Sequence, residues 1–214
     1  MPRPTGPQRL EARRQRLQRH AAVEDPAKVL DAAARFLEVR SRSVDEVRRH
    51  LTAARYPADL IERAIARLLE LTMLDDRAFG RAWVESRDRA RPRGEHALRR
   101  ELGLKGLDRE LIAEVLAERA GEGEPRDDGF ASSGLGSSGV VEPGADRRAA
   151  ENLLARRSAA LARVADPRPR RQRAYALLAR NGFSPEICRE ASARFVAPDV
   201  PGTDLPDSDV EDEP

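Results

Sequence analysis

The sequence predicts an all-α protein built from three tandem three-helix repeats. Three observations carry that expectation. Apolar residues recur at helical spacing along most of the chain. Matched apolar positions return at a fixed interval: Leu51 and Leu102 lie 51 residues apart, as do Ile61 and Ile112. From Leu102 to Leu178 the interval is 76, and a Gly/Ser-rich stretch of 26 residues at 121–146 accounts for the excess. Finally, aromatics make up only 4% of the 214 residues while charged residues make up 36%, so several small helical cores suit the composition better than one large core.

Residues 1–24 are rich in Arg, Gln and Pro and read as a basic disordered or loosely helical arm. The first repeat, 25–74, opens at Asp25-Pro26, an N-cap followed by Pro at the first helical position. Leu30, Ala33, Ala34 and Leu37 line its first helix. Ser43-Val44-Asp45-Glu46 has the form of a capping box, and Val44, Val47 and Leu51 follow as a stripe. Tyr56-Pro57 opens a third helix with Leu60, Ile61, Ala64, Ile65, Leu68 and Leu69 on one face. The second repeat, 75–120, begins with Asp75 as cap. Leu74 before it and Phe79 after it are spaced as a hydrophobic staple, and Phe79, Ala82 and Trp83 form the inward face. Arg91-Pro92-Arg93-Gly94 is a turn. Leu98 and Leu102 mark a short helix closed near Gly103, and Asp108 caps a helix bearing Leu111, Ile112, Val115 and Leu116.

Residues 121–146 hold seven of the fourteen glycines and read as a flexible insertion. The third repeat, 147–197, places Ala150, Leu153, Leu154 and Leu161 on one face and breaks at Asp166-Pro167-Arg168-Pro169. A helix with Ala174, Leu177 and Leu178 follows, ending at Asn181-Gly182. Ser184-Pro185 starts the last helix, with Ile187, Cys188, Ala191 and Phe195. Each unit thus has a long, a short and a closing helix. The tail, 198–214, is acidic and reads as disordered.

The net charge of +2 hides strong segregation. Residues 1–20 carry +5, 121–146 carry −5, 147–180 carry +8 and 199–214 carry −7. Basic faces point to a polyanion or an acidic protein as partner. No run of about 18 apolar residues offers a membrane span, no apolar stretch follows the N-terminal charges as in a secretory signal, and Cys188 has no internal partner. A cytoplasmic protein without membrane contact is expected.

No residue set suggests catalysis. Asp75 and Asp76 stand at a helix start, where a cap and a dipole partner explain them. His20, His50 and His96 lack metal-ligand spacing, and one cysteine makes no zinc pattern. Cys188 falls on an apolar stripe. Trp83 and Phe79, four residues apart behind Leu74, read as core rather than as a base-stacking platform. The candidate contacts are the basic clusters: Arg87, Arg89, Arg91 and Arg93 around the turn of unit two; Arg99, Arg100 and Lys105 after it; and Arg168, Arg170, Arg171 and Arg173 in unit three. Neither cofactor nor metal is expected.

Three segments resemble RecX, the bacterial regulator of the recombinase RecA: LTMLDDRAFGRAWVESR from Leu71 to Arg87, RRELGLKGLDRELI from Arg99 to Ile112, and ALLARNGFSPEI from Ala176 to Ile187. The resemblance covers roughly 26–197 apart from the insertion. It implies a non-catalytic protein with an elongated, curved body that lies in the groove of the RecA filament on single-stranded DNA and restrains its ATPase and recombinase activity. Weak DNA binding, a role in DNA repair, recombination and the SOS response, and a monomeric state go with it. Two features depart from the family pattern: the long insertion, and Asn181 where a basic residue is expected. The alternative is a DNA-binding regulator of helix-turn-helix type, which calls for base-reading Asn or Gln on one helix face; the helices offer Arg instead.

Overall fold

A computed structural model describes residues 6–121 and 144–196, which form ten α-helices and no strand. After α1 (Gly6–Ala21) come three units of three helices. Unit one is α2 (Pro26–Glu38), α3 (Val44–Ala53) and α4 (Ala58–Glu70). Unit two is α5 (Asp76–Ala90), α6 (Glu95–Leu104) and α7 (Arg109–Gly121). Unit three is α8 (Ala145–Ala162), α9 (Pro167–Arg180) and α10 (Pro185–Val196). The expected flexible insertion lies almost wholly outside the described residues, as does the acidic tail; of the insertion, Gly121 ends α7, Gly144 caps α8, and Ala145 and Asp146 open it.

The repeat is visible in the helix starts. Val44 and Glu95 open α3 and α6, 51 residues apart, and Ala58 and Arg109 open α4 and α7 at the same interval. Each unit closes its own core. Val29, Val47, Leu51, Ile61 and Leu68 fill the first, Phe79, Leu98, Leu102, Ile112 and Val115 the second, and Leu153, Leu154, Leu178, Phe183 and Cys188 the third. The matched leucines Leu51, Leu102 and Leu178 are all fully buried, each contributing about 2 kcal/mol of transfer free energy.

Several local expectations are decided or corrected. Of the two readings of the N-terminal arm, residues 6–21 take the helical one and form a regular helix. Leu74 packs into the first core and Phe79 into the second, so the pair bridges two units instead of stapling one helix. Along α5 the buried positions are Phe79, Gly80 and Val84, while Ala82 is exposed. Leu69 is 45% exposed. The helix α6 ends at Leu104, beside Gly103 as expected, and Gly106 follows the C-cap Lys105 with a φ of 86° that favours glycine. Asp166-Pro167 is a start rather than a break. Asp166 accepts the Arg168 N–H at 2.9 Å, and Pro167 needs no donor at the first helical position. The extra turn makes α9 14 residues long against 12 for α10, so the third unit departs from the long–short–closing pattern.

The units are joined through their middle helices, end to end. At the first seam the N-cap Ser43 meets the C-terminus of α6: its hydroxyl accepts the Glu46 N–H at 3.1 Å and donates to the Lys105 carbonyl at 2.5 Å. Asp76, on α5, accepts the Val44 N–H at 2.9 Å. At the second seam Gly94, the N-cap of α6, donates its N–H to the Asn181 carbonyl of α9 at 3.0 Å, and His96 N–H reaches the Gly182 carbonyl at 3.2 Å. Asp146 accepts the Glu95 N–H at 3.0 Å. Both seams therefore set the positive end of one helix dipole on the negative end of another, satisfying groups that helix termini leave open.

Candidate functional site

The geometry separates the candidate cations into those that build the seams and those that have no ion-pair partner among the described residues. Around the first seam, Trp83 is partly buried and lies under two of them. The Arg87 guanidinium sits 4.4 Å from its ring centroid and the Lys105 ammonium 4.6 Å from it. Glu101 ties the group together by accepting the Trp83 indole N–H at 3.0 Å and Arg87 Nε at 2.6 Å. Lys105 crosses to unit one and meets Glu46 at 2.7 Å, where Arg40 also binds at 3.0 Å. Burial pushes the Glu46 carboxyl up, but the hydrogen bonds and charges of Arg40 and Lys105 outweigh it and hold the group down to about 2. Glu46 therefore does not complete a capping box; its side chain is turned to these cations, and only the Ser43 half of the box forms.

Arg93 and Asn181 meet at the second seam, with Arg93 donating to Asn181 Oδ1 at 2.6 Å. Asn181 occupies the place that Lys105 holds at the first seam, and so the missing basic residue is answered by an arginine from the neighbouring unit. The centre of this seam is Arg119, 8% exposed, which donates to both oxygens of Asp88 at 2.9 Å and to Asp146 at 2.5 Å. Burial works against its charge, but the two carboxylates prevail and raise its affinity for the proton. Arg156 adds donors to the carbonyls of Arg89 and Ala90 at 2.6 and 2.8 Å. Among the remaining candidates, Arg89 and Arg99 make exposed pairs with Glu85 and Glu95 one turn away, an arrangement worth little to stability.

The other basic candidates behave differently. Arg91, Arg100, Arg168, Arg170, Arg171 and Arg173 form no ion pair among the described residues; Arg170 donates only to the Ala165 carbonyl, at 3.0 Å. Four of the six lie in the first two turns of α9. There an open groove of about 360 Å3 is lined by Arg168, Arg171, Gln172, Tyr175, Arg189 and Ser192. Arg189 comes from α10, and its side chain donates to the Pro185 carbonyl at 3.2 Å. Three uncompensated guanidinium groups beside a half-buried tyrosine ring can hold phosphate or carboxylate oxygens by charge-assisted hydrogen bonds. Arg171 and Tyr175 share a face by their four-residue spacing, but sequence alone does not bring Arg189 to them.

The expected structural motif resolves into two roles. Asp75 caps α5 by accepting the Ala78 N–H at 2.9 Å. Asp76 caps a helix of the neighbouring unit; burial raises its pKa against the opposing Val44 N–H, with Asp75, Asp108 and Asp45 adding to the rise. Cys188 is buried in the third core, which pushes its thiol pKa up. Among the described residues no three His, Cys, Asp or Glu side chains are placed to hold a metal ion, and no helix is long and apolar enough to cross a membrane.

Two family models match the chain: the first three-helix domain of RecX over residues 30–68 and the second three-helix domain of RecX over 75–116. The chain is 33% identical over 131 residues to the Regulatory protein RecX of Mycolicibacterium smegmatis, covering 61% of this chain and 57% of that one. It is 40% identical over 86 residues to its namesake in Pelodictyon phaeoclathratiforme, covering 40% of this chain and 54% of the relative. The chain thus spans little more than half the length of these relatives. Against the Regulatory protein RecX of Mycobacterium bovis the identity is 29% over 170 residues, 78% of this chain and 84% of the other. The crystal structure of RecX from Lactobacillus salivarius shares the fold, with a TM-score of 0.62 at 17% identity over 80% of this chain and 97% of that one. Two RecX domain models in tandem, relatives of that name and the shared fold agree: over its first two units the chain is similar to the RecX family.

Proposed function

We propose that this protein binds RecA and its filament on single-stranded DNA and restrains ATP turnover and strand exchange, acting as a non-catalytic monomer in the cytoplasm. The observation that carries the reading is the concentration of uncompensated arginines on one end of the repeat array, at the start of α9 and across the groove to Arg189. Desolvating such charges against solvent alone gains nothing, whereas a nucleoprotein filament offers carboxylates and phosphates at a regular repeat. Three units joined end to end present several weak contacts as one body, and weak contacts multiply when a second binding event becomes intramolecular. The resemblance of the motifs to RecX supports the partner and the sign of regulation; the unpaired arginines support the placement of the contact.

The test is ATP turnover by the cognate RecA on single-stranded DNA. Arg170→Glu, Arg171→Glu and Arg173→Glu together change the local charge by six units and leave the buried Ala174 and Leu178 untouched. The triple variant keeps its helical spectrum and loses most of its restraint of RecA. Undiminished restraint makes this cluster a solvated face. Tight binding of one duplex sequence with no affinity for RecA replaces the reading with a helix-turn-helix regulator.

A further inference from the structure

We infer that α1 is a nucleic-acid arm, in which a stripe of Arg9, Arg13 and Arg16 binds the sugar–phosphate backbone. None of its residues is buried, and Leu10 is 68% exposed. The stripe follows from spacing: residues four and three apart share one face of a helix, so the three arginines stand in line with His20. Like charges so placed repel, and an isolated helix of this length is marginal in water even without that penalty. A ligand that neutralises the stripe therefore stabilises the helix, and the helix in turn aligns the charges for the ligand.

The arm has a defined anchorage. His20 Nδ1 lies 3.1 Å from the Ala54 carbonyl at the C-terminus of α3, and its ring stacks on Tyr56 with centroids 4.4 Å apart. This end of α3 corresponds to the ends of α6 and α9 that dock on the preceding unit, where Gly106 and Gly182 have φ of 86° and 83° and a Cβ on either would run into the neighbouring unit. At the end of unit one the same position is Arg55, with φ 66°, where no other three-helix unit of the described residues lands. Arg55 is exposed and adds a cation at the base of the stripe.

The occupant is fixed by what α1 lacks. Leu10 and Leu17 are its only large apolar residues, too little to enter a bilayer as an interfacial helix. The aromatic and apolar anchors that dominate protein interfaces are absent as well. A phosphate backbone needs neither, because counterion release supplies the affinity without shape matching.

The inference adds to the proposed function without depending on RecA, and its test omits RecA. Binding of the whole protein to a fluorescein-labelled oligothymidylate is measured by anisotropy over a salt series. The variant Arg9→Gln, Arg13→Gln, Arg16→Gln keeps helix-forming residues and removes three charges. Its slope of log affinity against log salt is expected to fall by about 2, near 0.7 for each phosphate of a single strand that is no longer neutralised. Far-UV helicity is expected to rise on adding the oligonucleotide to the unaltered protein and not to the variant. Equal slopes and affinities overturn the inference. So does binding of α1 to phosphatidylserine vesicles or to polyglutamate with no arm-dependent change on the oligonucleotide. A normal salt slope in a protein that leaves RecA turnover unaffected counts against the proposed function alone.

Discussion

The two seams of the molecule use one device with different chemistry. In both, the N-terminus of a middle helix receives the C-terminal carbonyls of the next middle helix, and a carboxylate from the next unit caps an adjacent N–H: Asp76 on Val44 at the first seam, Asp146 on Glu95 at the second. At the first seam a serine hydroxyl spans the gap to the Lys105 carbonyl. At the second the N-cap residue is a glycine with no side chain to do so, and the backbones meet directly, Gly94 N–H on the Asn181 carbonyl. A Cβ on Gly94 would collide with the Gly182 carbonyl, so closeness there depends on glycine, whereas Ser43 fills the corresponding space. The second difference is charge. Leu68 is wholly buried in unit one, and its counterpart 51 residues on is Arg119, which reaches across to unit three. An apolar core position has become the polar rivet of a joint.

That contrast can be broken first at Arg119. Arg119→Ala leaves Asp88 and Asp146 facing each other without their cation, and the expected loss is about 3 kcal/mol, at the low end for severing a buried pair because both carboxylates are partly solvated. Urea unfolding followed by far-UV circular dichroism measures it. Trp83 is the single tryptophan and sits at the first seam, so its fluorescence is expected to lag behind the spectroscopic loss of unit three. Coincident transitions would show that the seams do not separate.

Gly94→Ala forces two backbones apart and is expected to cost about 2 kcal/mol, within the range for overpacking. Ser43→Ala keeps the first seam closed but removes one cap and one cross-unit hydrogen bond, for about 1 to 2 kcal/mol. Thermal unfolding ranks the two; a larger loss for Ser43→Ala would place the tighter joint at the wrong seam.

The most specific effect concerns Glu46. Its folded pKa, about 2, lies below the ordinary value of 4.5. The ion pair therefore stabilises the fold fully above pH 4.5, and that contribution is lost as pH falls from there towards 2. Glu46→Gln is expected to flatten this part of the stability profile. An unchanged profile between about pH 5 and pH 2.5, measured by urea titration, contradicts the role given to Lys105 and Arg40.

Much of this architecture is legible in the amino-acid sequence. The interval from Leu51 to Leu102 locates units one and two, because a core leucine is dictated by local periodicity and repeats with it. Asp25, Ser43, Asp75 and Asp108 are readable as caps, since each accepts from a backbone N–H two or three residues on. The seams are not legible. Asp76 looks like a dipole partner of its own helix until unit one is placed beside it, and Asp146 looks like the end of an insertion. Arg119 does leave a trace: a charge at the repeat position of Leu68 marks a core site turned to another use. The division of the arginines leaves none, because Arg93 and Arg173 sit in similar basic runs and differ only in what lies across from them in space.

That division is the basis of the functional reading, and matched charge reversals test it. One variant reverses Arg168, Arg171 and Arg189 to Glu in the uncompensated groove of unit three. The other reverses Arg35, Arg48 and Arg67 to Glu, exposed arginines of unit one that are already ion-paired. Both change the charge by six units, so a general electrostatic effect acts on them alike. RecA ATP turnover on single-stranded DNA is expected to escape restraint with the groove variant and to remain restrained with the unit-one variant. Equal restraint by the two would contradict the assignment of the contact surface to the uncompensated arginines.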